Sequence, residues 1–169
     1  TTHTAELSYN FGRKVRNLFD QQDFKDVYPG VSLSQDSKAA GRFTTNAGGE
    51  YFAAGVGGAI TGRGADLLII DDPHSEQDAL SQTAMDNAYE WYTSGPRQRL
   101  QPGGAIIVVM TRWSVRDLTG QIVKAATQRT GADEWEVIEL PAIMPSGDPL
   151  WPEFWPADQL EALKAELPV

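Results

Sequence analysis

Two adjacent carboxylates at the end of an apolar run are the residues of this sequence best suited to chemistry. Residues 67–70 are continuously apolar, which is typical of a strand buried on both faces of a parallel sheet, and Asp71 and Asp72 follow directly. One such carboxylate can bind Mg²⁺, while its neighbour positions the water that attacks a γ-phosphate. The simpler alternative is a strand that ends in a turn, because Asp is a turn former and Pro73 cannot continue a strand.

Further polar residues stand at the ends of the predicted strands. A glycine-rich loop, residues 57–64, carries Arg63 and leads into the first strand. A second apolar run, residues 105–110, predicts another buried strand, and Thr111 and Arg112 follow it. Ligands of open α/β sheets bind at the carboxyl ends of strands, so polar groups there are candidates for a site.

The pattern of apolar and polar residues predicts the remaining elements. In chain order they are a short strand at 4–7, a helix at 10–19, a β-hairpin from 42–46 and 51–54, a helix of about five turns after a capping box at 75–78, a helix capped by 114–117, a strand at 135–140 and a short helix at 156–167. The alternation of strand and helix from residue 67 onward indicates an α/β domain of the doubly wound or RecA-like kind. The antiparallel hairpin is predicted to join an edge of that sheet.

Composition limits the classes of function. With 169 residues, 41% of them hydrophobic, the chain can bury one core. A net charge of −9 argues against a domain that wraps DNA over most of its surface. The sequence has no cysteine and only two histidines, so we expect His74 to pack or hydrogen-bond near the carboxylates and not to ligate a metal. No apolar run has the length of a membrane span, which predicts a soluble, intracellular protein.

Five segments, by their order and spacing, carry a resemblance to a known family. They are residues 11–17 (Phe-Gly-Arg-Lys-Val-Arg-Asn), 40–46 (Ala-Gly-Arg-Phe-Thr-Thr-Asn), 48–51 (Gly-Gly-Glu-Tyr), 61–73 and 103–113. Together they resemble the ATPase domain of the large terminase subunit of tailed bacteriophages and prophages. The resemblance implies a RecA-like P-loop NTPase fold in residues 1–150, with a mostly parallel sheet flanked by helices. It also implies that residues 151–169 form a linker and helix that lead toward a C-terminal nuclease domain.

The resemblance implies roles for the acidic residues. Asp71 matches the family's Mg²⁺ ligand, and Asp72 stands where the family usually has its catalytic glutamate. Because aspartate has the shorter side chain, Glu76, about one helical turn later, is an alternative for that role. Arg63 matches an arginine finger that reaches the nucleotide of a neighbouring subunit. The alternative interpretation is that Arg63 forms an ion pair with a surface carboxylate.

The resemblance also implies cofactors and partners. Thr111 and Arg112 match the segment that senses the γ-phosphate of bound ATP and transmits its loss. The implied cofactors are ATP and Mg²⁺. The implied partners are duplex DNA, the terminase small subunit, the portal protein and further copies of the chain, in the cytoplasm of the bacterial host.

The sequence departs from the family at the phosphate-binding loop. It contains no Gly-Lys-Thr or Gly-Lys-Ser segment, which would supply backbone amides, a lysine and a hydroxyl to the phosphates and Mg²⁺. We therefore expect a partial ATPase domain, without its N-terminal strand and P-loop, that hydrolyses negligible ATP alone. Two alternatives stay open: a metal-dependent nuclease built on Asp71, Asp72 and Glu76, and a degenerate, non-catalytic prophage or interaction domain.

Overall fold

The computed structural model describes residues 1–60 and 62–166, with residues 37 and 38 described by their backbone alone. The chain divides into two units, Thr1–Ala132 and Asp133–Val169. The helices are α1 (Ala5–Leu18), α2 (Gln22–Val27), α3 (Glu76–Ala79), α4 (Gln82–Ser94), α5 (Leu118–Gln128) and α6 (Ala157–Glu166). The strands are β1 (Leu33–Ala39), β2 (Arg42–Thr45), β3 (Glu50–Phe52), β4 (Ala65–Asp71) and β5 (Leu100–Val109).

The strands form two sheets, and this corrects the predicted fold class. Strands β1, β2 and β3 pair antiparallel in one sheet, while β4 and β5 pair parallel in another, with Ile69 opposite Ile107 and Asp71 opposite Val109. The prediction of a RecA-like, mostly parallel sheet is wrong, because among the described residues the parallel sheet has two strands. The hairpin of β2 and β3 belongs to the separate antiparallel sheet and does not extend the parallel one.

The predicted strand at 135–140 is wrong. These residues form no strand, and Val137, Ile138 and Leu140 are exposed. Acidic residues at 136 and 139 interrupt the apolar run, so the segment lacks the continuous apolar character of a strand buried in a parallel sheet.

The predicted strand at 4–7 is wrong as well. The hydroxyl of Thr4 accepts a hydrogen bond from the backbone N–H of Leu7 at 3.2 Å and so caps α1, which begins at Ala5. A capping interaction of this kind is local, and it draws these residues into the first turn of the helix.

Local capping signals are confirmed elsewhere. Ser75 and Asp78 form the predicted capping box, each side chain bonding the other's backbone N–H. The helix that follows is not continuous over five turns, because a turn at Leu80 ends α3 and Ser81 caps a new helix, α4. At the C-terminal end α6 is described over Ala157–Glu166, and Leu167 of the predicted helix lies outside the described residues.

The two faces of the β4–β5 pair differ in burial. Leu68 and Ile70 are buried on one face, and Met85 and Tyr92 of α4 and the α5 residues Leu118 and Ile122 are also buried. Helices α4 and α5 contact one another. On the opposite face Leu67, Ile69, Ile107 and Val109 are all exposed. The parallel pair is therefore covered on one face and open on the other.

A second cluster of apolar side chains joins α1 to the antiparallel sheet. Phe43 is buried and stacks on Tyr51 with ring centroids 4.7 Å apart, while Phe19 meets it edge-on at 5.8 Å. Gly12 allows the close approach of α1, because a Cβ there would lie 2.0 Å from the carbonyl oxygen of Ala40.

No helix in the described residues is both long and apolar enough to cross a bilayer.

Candidate functional site

The carboxyl ends of β4 and β5 bring Asp72 and Thr111 together. The backbone N–H of Asp72 donates to the carbonyl of Val109 at 2.9 Å. Its carboxylate Oδ1 accepts a hydrogen bond from the backbone N–H of Thr111 at 3.2 Å. Asp72 has a φ of 41°, in the left-handed region that only Gly, Asn and Asp visit readily. The chain thus turns sharply at the end of β4 and directs this carboxylate toward the end of β5.

Asp71 is the last residue of β4 and is half-buried. Its backbone N–H donates to the carbonyl of Thr1 at 2.8 Å, in a short parallel bridge along the edge of β4 that does not face β5. Because side chains alternate along a strand, Asp71 lies on the same face of β4 as the exposed Leu67 and Ile69. A carboxylate at the end of an open apolar face is accessible to a ligand.

That open face forms one wall of a groove of about 1020 Å³ in the first unit. Asp71 and Arg63 both line it, together with Phe11 of α1 and Tyr51 of β3. Arg63 precedes β4 and Asp71 ends it, so the length of the strand, roughly 20 Å at ~3.3 Å per residue, separates them. The structure therefore places these two candidates in one groove but not in one catalytic cluster.

Arg63 is held by groups of the same chain. Its guanidinium forms an ion pair with Glu50, whose other oxygen pairs with Arg42 at 3.2 Å. It also lies over the ring of Phe52, 4.1 Å from the centroid. The alternative interpretation of Arg63, an ion pair with a surface carboxylate, describes its present contacts.

Arg112 is likewise engaged within the chain. Its Nε donates to Oδ2 of Asp117 at 3.0 Å, and its Nη2 donates to the carbonyl of Ser114 at 3.1 Å. Its side chain stays nearly half exposed, while that of Asp117 is fully buried. Thr111 and Arg112 are adjacent in sequence, yet Thr111 contacts the β4 end and Arg112 contacts the start of α5.

Asp117 is the centre of the loop that precedes α5. Oδ1 caps the helix by accepting from the N–H of Gly120 at 2.8 Å, and Oδ2 accepts from the N–H groups of Trp113 and Ser114 and from Arg112. Burial alone would raise the pKa of this carboxyl, but these hydrogen bonds outweigh burial and place the pKa below its ordinary value. The buried charge is thus compensated by four donors.

His74 is buried and links the end of β4 to α5. Its Nε2 accepts a hydrogen bond from the backbone N–H of Leu118 at 3.0 Å, which requires that nitrogen to be unprotonated. Burial lowers the pKa of His74, and nearby His3 lowers it further, while Asp117 and Asp78 oppose the shift. His74 is thus buried and hydrogen-bonded as expected, but the carboxylates that act on it are Asp117 and Asp78 and not the pair at the end of β4.

Glu76 is exposed in the first turn of α3, four residues after Asp72 in the sequence. Asp78, two residues after Glu76, lies near His3: Nε2 of His3 and Oδ2 of Asp78 are 3.8 Å apart. Burial acts to raise the pKa of Asp78, but hydrogen bonds from Ser75 and the nearby histidines lower it overall. Within the described residues, no group of three or more His, Asp or Glu side chains is arranged to hold a metal ion.

Sequence reasoning missed the importance of Asp117 and the partner of His74. The segment 114–117 predicted a helix cap, and Asp117 is that cap, but its hydrogen bond to Arg112 joins residues whose contact no spacing rule predicts. The bond from Leu118 to His74 spans 44 residues and follows from tertiary packing alone. Neither a protein-family model nor a curated protein matches the chain.

Proposed function

We propose that this chain is part of the ATP-hydrolysing motor of a tailed bacteriophage or prophage, a terminase large subunit that moves duplex DNA into a procapsid. The observation that carries the proposal is the meeting of Asp72 with Thr111, beside Asp71, at the carboxyl ends of two parallel strands. This is the edge at which α/β sheets bind their ligands. The resemblance of the segments around these residues to the terminase ATPase supplies the activity.

Asp71 is suited to hold Mg²⁺. Mg²⁺ keeps several waters and is bound through one or two carboxylates together with substrate phosphates, so a single accessible carboxylate at a strand end meets its needs. Asp71 is half-buried in the groove wall and has that accessibility. Bound Mg²⁺ would neutralise the charge that develops on the phosphate oxygens of ATP.

The contact between Asp72 and Thr111 gives the proposed coupling a physical path. A carboxylate that faces the γ-phosphate and also accepts the N–H of Thr111 is sensitive to loss of that phosphate, because its hydrogen bonds redistribute. A resulting shift of Thr111 would displace the adjacent Arg112. Because Arg112 is hydrogen-bonded to Asp117, the shift would also reach the start of α5. Because the carboxylate of Asp72 is engaged in this way, Glu76 is the candidate to position the attacking water.

Arg63 can act as an arginine finger only by exchanging Glu50 for a phosphate of a neighbouring subunit. Its ion pair with Glu50 is partly exposed, and such pairs contribute only about 0–1 kcal/mol; the move also gives up the cation–π contact with Phe52, and a charge-assisted contact to phosphate would have to offset both. The proposal therefore requires a homo-oligomer, which works with the terminase small subunit and the portal protein in the host cytoplasm. ATP is the nucleotide.

A polypeptide that includes a Gly-Lys-Thr or Gly-Lys-Ser segment before residue 1 is the protein in which to test catalysis. There we expect Asp71→Asn to reduce ATP turnover by at least ~10²-fold, because it removes the charge that holds Mg²⁺. Asp66→Asn is the matched control, since Asp66 is an exposed carboxylate at the opposite end of β4, and it should leave turnover within about twofold. Full turnover in Asp71→Asn would overturn the proposal.

A non-catalytic interaction domain is the second candidate. The observation that favours it is that Arg63 and Arg112, the two arginines proposed to act on phosphate, are both paired with carboxylates of this chain. It predicts that the longer polypeptide binds no Mg²⁺–ATP, which separates it from the motor.

A further inference from the structure

Three aromatic side chains form an exposed cluster in the second unit. Trp151 and Phe154 stack with ring centroids 4.9 Å apart, and Trp155 meets Phe154 edge-on at 5.7 Å. A turn holds them, because the N–H of Trp155 donates to the carbonyl of Trp151 at 2.8 Å. Trp151 and Phe154 are 59% and 60% exposed, and Leu150 just before them is exposed too. We call these three rings the aromatic cluster.

Such a cluster is unusual on a protein surface that faces only water. Exposed apolar patches mark interaction sites, and Trp is among the residues that contribute most to binding at the centres of interfaces. The rings of the aromatic cluster are already ordered by stacking and by the backbone turn. Little conformational entropy therefore remains to be lost when a partner covers them.

Charge around the aromatic cluster selects the partner. From residue 133 onward the only basic residue is Lys164, and the acidic residues are Asp133, Glu134, Glu136, Glu139, Asp148, Glu153, Asp158, Glu161 and Glu166. Glu153 lies within the cluster's own turn, and both it and Asp158 are exposed. A field of this sign repels nucleic acid and attracts a basic protein surface.

We propose that the aromatic cluster docks a basic, amphipathic segment of a partner protein. Apolar side chains of the segment cover the three rings, and its Lys or Arg residues face Glu153 and Asp158. This inference stands apart from the proposed ATPase function, because it uses none of the residues at the ends of β4 and β5.

The test uses the whole chain and a defined probe, a fluorescein-labelled 14-residue helical peptide of Leu and Lys with all Leu on one face. Fluorescence anisotropy should show saturable binding that weakens as salt rises. Peptides with Glu in place of Lys, or with Lys alone, should bind at least tenfold more weakly. Trp151→Ala with Phe154→Ala should weaken binding at least tenfold, whereas Trp113→Ala, at an exposed Trp of the first unit, should change it less than twofold.

Two further variants keep the proposal open to refutation if the ring truncations disturb folding. Glu153→Lys and Asp158→Lys change exposed side chains, and together they should weaken binding at least fivefold. Because Asp158 lies in the first turn of α6, where a positive charge is unfavourable, a small fall in thermal midpoint is expected for Asp158→Lys and none for Glu153→Lys. Equal binding of the all-Lys peptide would overturn the proposal, because charge alone would then explain it. A dimer of the free chain that dissociates in the double ring variant would also overturn it, since a second copy would be the occupant.

Discussion

The carboxylate of Asp72 accepts the backbone N–H of Thr111 at 3.2 Å and thereby joins the carboxyl ends of β4 and β5. The two residues lie 39 positions apart in sequence and become neighbours because the two strands run parallel. Asp72 adopts a φ of 41° to make this contact. The left-handed backbone conformation of Asp72 is unfavourable for most residues, and the hydrogen bond of its carboxylate to Thr111 helps to stabilise it.

Replacement of Asp72 tests its side-chain hydrogen bond and its left-handed backbone conformation together. Asp72→Ala removes the acceptor and places a Cβ residue in the left-handed region without a local hydrogen bond, so we expect a loss of about 1–2 kcal/mol in the free energy of unfolding. Asp72→Asn keeps both the acceptor and the tolerance of that region and should cost less than about 0.5 kcal/mol. Urea denaturation of both variants measures the difference, and equal losses would contradict the assigned contact.

Asp117 should be among the most sensitive positions of the first unit. Asp117→Ala leaves three N–H groups and Arg112 without their acceptor in a buried place, and we expect a loss of about 2–4 kcal/mol in unfolding free energy. Asp117→Asn keeps one acceptor oxygen, which can cap the N–H of Gly120, but its amide NH2 would then face the N–H groups of Trp113 and Ser114 and the guanidinium of Arg112, so we expect a loss of similar size; urea denaturation of both variants measures it. The pKa of Asp117 in the folded chain lies below its ordinary value of 3.8. The stabilisation from its charged form is therefore fully present above about pH 3.8 and is lost as the pH falls from there through the lower, folded pKa.

Stability should fall as the pH drops below about 6.5. His74 has a folded pKa below its ordinary value of 6.5, so the unfolded chain binds the proton first, and stability present above pH 6.5 is lost as the pH falls toward the folded pKa. The slope cannot exceed about 1.4 kcal/mol per pH unit. Thermal midpoints between pH 8 and 5 measure it. His74→Gln should flatten this dependence while His3→Gln retains most of it; a profile unchanged in His74→Gln would assign the effect to another group.

The free chain should self-associate through β5. Among the described residues no strand pairs with the outer edge of β5, and Ile107 and Val109 are exposed on its open face. Unprotected apolar edges of this kind pair with other chains. Sedimentation equilibrium should show a mass that rises with concentration.

Ile107→Lys tests this edge directly, since an edge lysine opposes strand pairing. It should return the chain to a monomer, whereas Val115→Lys, at an exposed position outside any strand, should not. A concentration-independent monomer of the unmodified chain would contradict the prediction.

Signals confined to a few neighbouring residues could be predicted from sequence. The capping box of Ser75 and Asp78, the hairpin of β2 and β3, and the apolar runs of β4 and β5 each depend on local chemistry, and the structure contains all of them. The pairing of whole elements was not predictable in the same way. The prediction of a RecA-like sheet was wrong because a strand-like segment does not specify which strand it pairs with. Residues 135–140 pair with no strand in the described residues.

The candidate site shows the same division. The acidic pair at the end of β4 and the polar residues after β5 were proposed from their positions at predicted strand ends. The partners of Arg63 and His74 lie 13 and 44 residues away in sequence and come from tertiary packing and charge pairing, while Arg112 pairs with Asp117 five residues on through the geometry of the intervening loop. Arg63 is an example, since its glycine-rich surroundings in sequence gave no sign that Glu50 and Phe52 would hold it.

A titration with a fluorescent ATP analogue, with and without Mg²⁺, tests the central proposal most directly. The polypeptide that includes an upstream Gly-Lys-Thr segment should bind the analogue with Mg²⁺ at least ~10²-fold more tightly than the 169-residue chain alone, because backbone amides and lysine of that segment cradle the phosphates. Asp71→Ala in the longer polypeptide should weaken binding at least tenfold when Mg²⁺ is present and little when it is absent. Binding that is absent from the longer polypeptide, or that Asp71→Ala leaves unchanged in Mg²⁺, would contradict a terminase motor site at the end of β4.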